Sequence, residues 1–174
     1  MIRAAALLLA LAGPAAAQDF APVYDVLSHP RCANCHVDEA GIPLWSNDDG
    51  TTRPHGMNVQ AGESRMGIET LPCATCHGTQ NNPLPGGAPG APDWALPPAE
   101  MVWAARSARE ICEQLKDPER NGGRTLEEVA DHVVHDPLVL WGWTPGPGRD
   151  PAPGTPEETA AAILAWAEAG STCP

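Results

Sequence analysis

The sequence predicts a mainly α-helical protein with extensive irregular chain and no substantial sheet. Three stretches begin with a Ser/Thr-x-x-Glu capping box, which is a signal for a helix start. No segment shows the sustained alternation of apolar and polar residues that predicts a half-buried strand. The chain also contains 20 Pro and 17 Gly, so long stretches between the helices are expected to be irregular.

The first 17 residues, MIRAAALLLALAGPAAA, have the pattern of a secretory signal peptide. Arg3 precedes a short Ala/Leu run, and Ala15-x-Ala17 offers small residues for cleavage. The run is shorter than the roughly 20 apolar residues of a membrane span, although a retained anchor is the alternative. The sequence therefore predicts an exported protein, periplasmic in a Gram-negative cell, that is not an integral membrane protein.

Two Cys-x-x-Cys-His motifs follow, in HPRCANCH and LPCATCHG. This pattern is the attachment signature of c-type haem: the two sulfurs form thioethers with the porphyrin, and the histidine becomes the proximal iron ligand. The motifs therefore predict two covalently bound haem c groups and a small multihaem c-type cytochrome. The attachment and proximal residues are Cys32, Cys35, His36, Cys73, Cys76 and His77.

Zinc, disulfides and thiol redox chemistry also use Cys-x-x-Cys. A zinc ribbon has about 15–20 residues between its two cysteine pairs, and the separation here is greater. A thioredoxin-like site needs one motif in a βαβ pattern, which is absent from the sequence. None of these alternatives explains why a histidine follows both pairs, so haem attachment is favoured.

The aliphatic content also favours a large bound group. Leu, Ile, Val and Phe make up less than about a fifth of the residues, which with a high net charge is typical of disorder. Six Trp and the helix signals argue for a folded chain. A flat, covalently held cofactor would supply the missing apolar bulk.

The two remaining cysteines are Cys112, in a helical stretch, and Cys173, near the C-terminus. In an oxidising compartment this leftover pair predicts a disulfide that ties the tail to the helices.

Each iron has a second axial position, for which the chain offers several candidates. His55, in RPHGMN, is the first choice because nothing structural requires an imidazole there. His29 is too near Cys32 to reach its own haem but suits a neighbouring haem. The other candidates, with methionines the weaker because they also fill cores, are His132, Met66 and Met101. Which ligand serves which haem stays open, and a surface role is the alternative for each histidine.

The signal peptide is predicted to cover residues 1–17. The rest of the chain, residues 18–174, is predicted to form one di-haem domain. Residues 18–80 would form its haem-attachment part, 81–98 a Pro/Gly-rich strap and 99–174 a helical part. The alternative is that the strap links two domains.

Helices are expected at 108–116, 126–135 and 156–169, with Gly170 ending the last, and a shorter one near 99–105. Trp141 and Trp143 are expected in the core, although an electron path or porphyrin stacking is the alternative. Arg53 and Arg149 are candidates for contacts with haem propionates, or else solvated surface residues.

HPRCANCH, PHGMNVQ, LPCATCHG, QLKDPERNGGRTLEE and DPLVLWGWTPGPGR together resemble short exported di-haem cytochromes labelled as a subunit of isoquinoline 1-oxidoreductase, a molybdenum hydroxylase. The resemblance implies an electron-transfer subunit, and no molybdopterin or flavin site is visible in the sequence. The layout is also similar to the small di-haem subunit of periplasmic nitrate reductase, in which distal histidines precede each motif. That similarity implies His29 and His55 as ligands, although the long helical part departs from it.

The expected function is single-electron transfer between an exported dehydrogenase or oxidoreductase and a respiratory acceptor, as a free carrier or a subunit. The net charge of −12 excludes nucleic acid as a favoured partner and suits a redox protein with a basic docking patch, although acidity also simply aids solubility. The alternatives are a small di-haem peroxidase or reductase with one open iron, and a haem sensor or structural protein.

Overall fold

The computed structural model describes residues 19–46, 51–63, 72–84 and 86–174. The predicted signal peptide and the candidate ligand Met66 lie outside these residues. The described chain is mainly helical with long irregular segments, which confirms the expected class. None of its helices is long and apolar enough to cross a membrane.

Six helices, one short hairpin and one 3₁₀ turn make up the regular structure of the described chain. In order they are α1 (Ala21–Leu27), α2 (Pro30–Ala33), β1 (Leu44–Ser46), β2 (Thr52–Pro54), the 3₁₀ turn (Cys73–Thr75), α3 (Ala108–Leu115), α4 (Leu126–His135), α5 (Pro137–Leu140) and α6 (Pro156–Glu168). The two strands pair antiparallel, with Trp45 opposite Arg53.

The three capping boxes start the three longest helices, as the sequence predicts. Ser107, Thr125 and Thr155 each accept a hydrogen bond from the backbone N–H of the glutamate three residues on, and that glutamate accepts one from the cap's own N–H. These reciprocal bonds satisfy donors that a helix start otherwise leaves unpaired. The helix expected near 99–105 does not form, and that stretch consists of two turns with irregular chain between them.

The hydrophobic core joins the start of the described chain to the C-terminal helices. Helix α1 packs against α3 and α6, and α4 packs most extensively against α6. Phe20 lies with its ring centroid 4.9 Å from that of Trp166, and both are buried together with Ile163. Residues from both ends of the described chain thus share one core. The predicted division into parts within one domain stays a prediction.

The predicted disulfide between Cys112 and Cys173 is present. Cys112 is fully buried on α3, so the bond fixes the C-terminal tail to the core. The tail is also held by Trp166, whose indole N–H donates to the carbonyl of Thr172 at 2.9 Å.

We expect the double variant Cys112→Ala/Cys173→Ala to lower the free energy of unfolding by about 4 kcal/mol. The two cysteines are 61 residues apart, and a cross-link over a loop of that length restricts the unfolded chain by about this amount. Denaturant unfolding of both proteins measures the difference, and an unchanged midpoint would show that the bond contributes nothing to stability.

Candidate functional site

Each of the two Cys-x-x-Cys-His motifs folds into a helical turn of its own. In the first, the backbone N–H of His36 donates to the carbonyl of Cys32 at 3.1 Å. In the second, the N–H of His77 donates to the carbonyl of Cys73 at 2.9 Å. The two motifs therefore present their cysteines and histidine from the same local backbone geometry.

The first motif begins at a capped helix start. His29 is the N-cap of α2, and its Nδ1 accepts a hydrogen bond from the backbone N–H of Arg31 at 3.2 Å. Burial, and then the charge of Arg31, lowers the pKa of His29. Because Nδ1 is the acceptor, the neutral ring carries its proton on Nε2. His29 thus has a structural role here, and its role as a distal ligand stays a prediction.

The sulfurs of the first motif lie in surroundings that favour uncharged forms. Burial, together with the neighbouring Cys35, raises the pKa of Cys32 to about 12. Burial raises the pKa of Cys35 to about 11, against the opposing effect of Arg31. Zinc and other thiolate-bound metals need deprotonated sulfur. The described residues contain no cluster of three or more His, Cys, Asp or Glu side chains arranged to hold a metal ion.

A tryptophan covers the histidine of the first motif. The rings of His36 and Trp103 stack with centroids 3.5 Å apart and planes 4° apart. The backbone N–H of Trp103 also donates to the carbonyl of His36 at 2.8 Å, and that of Ala104 to the carbonyl of Val37 at 3.2 Å. Val37 has φ 28°, which is unusual for a β-branched residue and turns the chain toward this pairing.

The second motif repeats the stack with different residues. The rings of His77 and Trp94 lie with centroids 4.5 Å apart and planes 8° apart. The Nδ1–H of His77 donates to the carbonyl of Pro89 at 2.7 Å, because a carbonyl can only accept. Burial lowers the pKa of His77. The ring is therefore neutral at pH 7, with its lone pair on Nε2, which is the form that binds a metal.

Among the described distal candidates, His55 lies beside a motif histidine. Its ring centroid lies 6.0 Å from that of His77. The Nδ1–H of His55 donates to the carbonyl of Gly56 at 2.8 Å, which leaves Nε2 as the ring nitrogen that could bind a metal. The hairpin positions the residue, since the His55 N–H donates to the carbonyl of Pro43 at 2.8 Å.

The other described candidates have different surroundings. Met101 is buried in the hydrophobic core. The Nδ1 of His132 lies 3.4 Å from a carboxylate oxygen of Asp136, one turn further along the helix. An open cleft of about 560 Å³ borders His132, and its other lining residues are Gly122, Gly123, Arg124, Glu128, Asp131, His135 and Asp136. The ligand roles of His132 and Met101 stay predictions.

Asn81 joins the strap to the C-terminal part. Its amide N–H donates to the carbonyl of Pro145 at 2.9 Å. Its side-chain oxygen accepts from the backbone N–H of Gly90 at 3.0 Å and from the indole N–H of Trp141 at 3.1 Å. A shallow cleft of about 400 Å³ lies beside this junction, between residues 79–81, 90–92 and 137–144.

Trp141 connects the surroundings of the two motifs. Its ring and that of Trp94 form a T-shaped pair with centroids 5.4 Å apart, and the guanidinium carbon of Arg31 lies 5.7 Å from the Trp141 centroid. Trp143, by contrast, packs against the core and donates its indole N–H to the carbonyl of Pro153 at 3.0 Å. The expectation of a core position therefore fits Trp143, whereas Trp141 bridges the two motif regions.

The tryptophans that stack on the motif histidines were not predicted from the sequence. Trp94 and Trp103 stand 17 and 67 residues from their partners, and no local spacing signals such a contact. The Pro/Gly-rich composition of the strap did indicate extended chain, and in this form the strap reaches His77 through Pro89 and Trp94.

Comparisons with known proteins return no match: no family model matches the chain, and no curated protein or solved structure resembles it significantly. The assignment of the site therefore depends on its residues and their geometry.

We expect Asn81→Ala to lower the free energy of unfolding by about 3 kcal/mol, because three hydrogen bonds of about 1 kcal/mol each are lost. Denaturant unfolding followed by tryptophan fluorescence measures the loss. Asn82→Ala is the matched control, since Asn82 is exposed and accepts one bond, from the N–H of Leu84 at 3.0 Å. Equal stability of the two variants would contradict a joining role for Asn81.

Proposed function

We propose that this protein is an exported di-haem c-type cytochrome that passes single electrons between an oxidoreductase and a respiratory acceptor. The observation that carries the proposal is the pair of Cys-x-x-Cys-His turns, each with its histidine ring held against a tryptophan. Cys32 and Cys35 would attach one haem and Cys73 and Cys76 the other.

The surroundings of the motifs fit such groups. A thioether is uncharged, so the burial that opposes thiolates at Cys32 and Cys35 does not oppose a thioether. Beside His36, the buried indole N–H of Trp103 finds no acceptor among the described residues, which suits a bound group that carries acceptor oxygens. The shallow cleft next to Trp141 supplies mostly apolar contact surface near the second motif.

His77 would be the proximal ligand of the second haem and His55 its distal ligand. Both rings donate Nδ1–H to a backbone carbonyl, an arrangement that fixes the tautomer and raises the basicity of Nε2. Two histidine ligands favour a lower potential than histidine with methionine. His36 would be the proximal ligand of the first haem, for which His29, His132, Met66 and Met101 stay distal candidates.

The chain's contribution to electron transfer is to keep these ligands fixed. A haem bound at each motif would supply an iron that can take up and release one electron. The stacked tryptophans and the carbonyl bonds hold the imidazole rings, so their orientation is set by the fold rather than by solvent. The net charge of −12 would direct the protein to a basic patch on its redox partner.

We expect His55→Met to change the spectrum of one haem and to raise its potential. The reduction equilibrium of that haem should shift at least about tenfold, or about 59 mV for a one-electron couple. Magnetic circular dichroism of the haem-loaded protein identifies the ligands, and a redox titration gives the potential.

His135→Met is the matched control, because His135 is exposed and its Nδ1 lies 2.8 Å from a carboxylate oxygen of Asp131. Unchanged spectra of both haems in His55→Met would reject His55 as a ligand. A wild-type haem that binds cyanide readily at neutral pH would instead favour the enzyme with an open iron.

A further inference from the structure

Two arginines meet between the motif regions. The Nε–H of Arg31, the residue before Cys32, donates to the carbonyl of Asp150 at 2.7 Å. The neighbouring Arg149 donates from Nη2 to the carbonyl of Gly87 at 2.8 Å. Residues 149–150 therefore tie the start of the first motif to the strap, two residues before the carbonyl of Pro89 that holds His77.

These guanidinium groups bond to backbone carbonyls and form no ion pair, a lack that they share with Arg53, Arg109 and Arg124 among the described residues. Both side chains are partly buried, and each makes its bond to an uncharged carbonyl. In the part of the chain that the structure describes, neither forms an ion pair with a carboxylate, whereas three other cations do so: Arg106, Lys116 and Arg120. Carboxylates are plentiful, since the chain has 22 Asp and Glu. Burial and the neighbouring Arg149 lower the pKa of Arg31, and one of these carboxylates, Asp150, lies near enough for its charge to raise that pKa against them.

A pair of like charges in partly buried surroundings favours binding of an anion. Each guanidinium has five N–H donors in a planar fork, and one donor is used in each carbonyl bond described above. The fork matches the two oxygens of a carboxylate, and burial strengthens the attraction. The face of Trp141 lies 5.7 Å from the guanidinium carbon of Arg31 and limits where that group can point.

We propose that Arg31 and Arg149 form a carboxylate-binding site, and that its occupant is a propionate of a haem attached at one of the two motifs. This inference rests on the proposed function, because the propionate comes with the haem. A free carboxylate such as acetate has the same chemistry and is the other source that the experiment must distinguish.

The test uses haem-loaded Arg149→Gln protein. Loss of a cation beside the haem favours the ferric form, so the potential of one haem should fall. The expected fall corresponds to a change of about three- to tenfold in the reduction equilibrium, where tenfold equals about 59 mV. The propionate-bending mode in the resonance Raman spectrum should shift at the same time. Arg109→Gln is the control, since exposed Arg109 on α3 gives the same change in net charge.

Arg149→Lys separates charge from geometry. It keeps the positive charge but loses the fork, so the propionate mode should shift while the potential changes less than in Arg149→Gln. The same variant serves if Arg149→Gln does not mature.

Three results would count against the inference, and they differ from one another. The site would be rejected if neither Arg149 variant changed the potential or the propionate mode more than Arg109→Gln does. A wild-type potential that depends on acetate at constant ionic strength, and loses this dependence in Arg149→Gln, would replace the propionate by a free carboxylate. Wild-type protein without covalent haem would reject the proposed function itself, and the propionate with it.

Discussion

One stretch of irregular chain, residues 89–103, holds the histidines of both motifs. The carbonyl of Pro89 fixes Nδ1 of His77, Trp94 stacks on the same ring, and Trp103 stacks on His36 and donates to its carbonyl. Contacts of this kind orient a metal ligand and set its basicity. Both candidate centres therefore depend on the path of a single segment, which has no regular secondary structure of its own.

The helical part of the protein gives that segment its position. Gln114 on α3 donates to the carbonyl of Glu100 at 3.0 Å, and Asn81 joins the start of the strap to Trp141 and Pro145. These bonds connect the segment to the packed core of α1, α3, α4 and α6, to which the disulfide also links the C-terminal tail. An irregular chain can be held in one shape when side chains from a packed core satisfy its polar groups.

Local signals explain which features the sequence predicts. The capping boxes at Ser107, Thr125 and Thr155 are contained within four residues each, and the disulfide follows from counting cysteines outside the motifs. Helix α1 was missed, although Val23, Val26 and Leu27 form an apolar i, i+3, i+4 stripe that could have indicated it.

The contacts across the candidate site were beyond prediction, because they join distant residues through packing alone. The pairing of His55 with His77, the two tryptophan stacks and the meeting of Arg31 with Arg149 leave no periodic pattern in the chain. For the same reason, the choice among the candidate distal ligands of the first motif stays a prediction.

Intact mass spectrometry of the protein, exported by a host that attaches haem, tests the central claim most directly. The account predicts a mature chain that carries the mass of two haem groups, retained under denaturing conditions because thioether bonds are covalent. Peptides containing Cys32 with Cys35, and Cys73 with Cys76, should each carry one group. A colourless protein with the mass of the bare polypeptide would contradict the account.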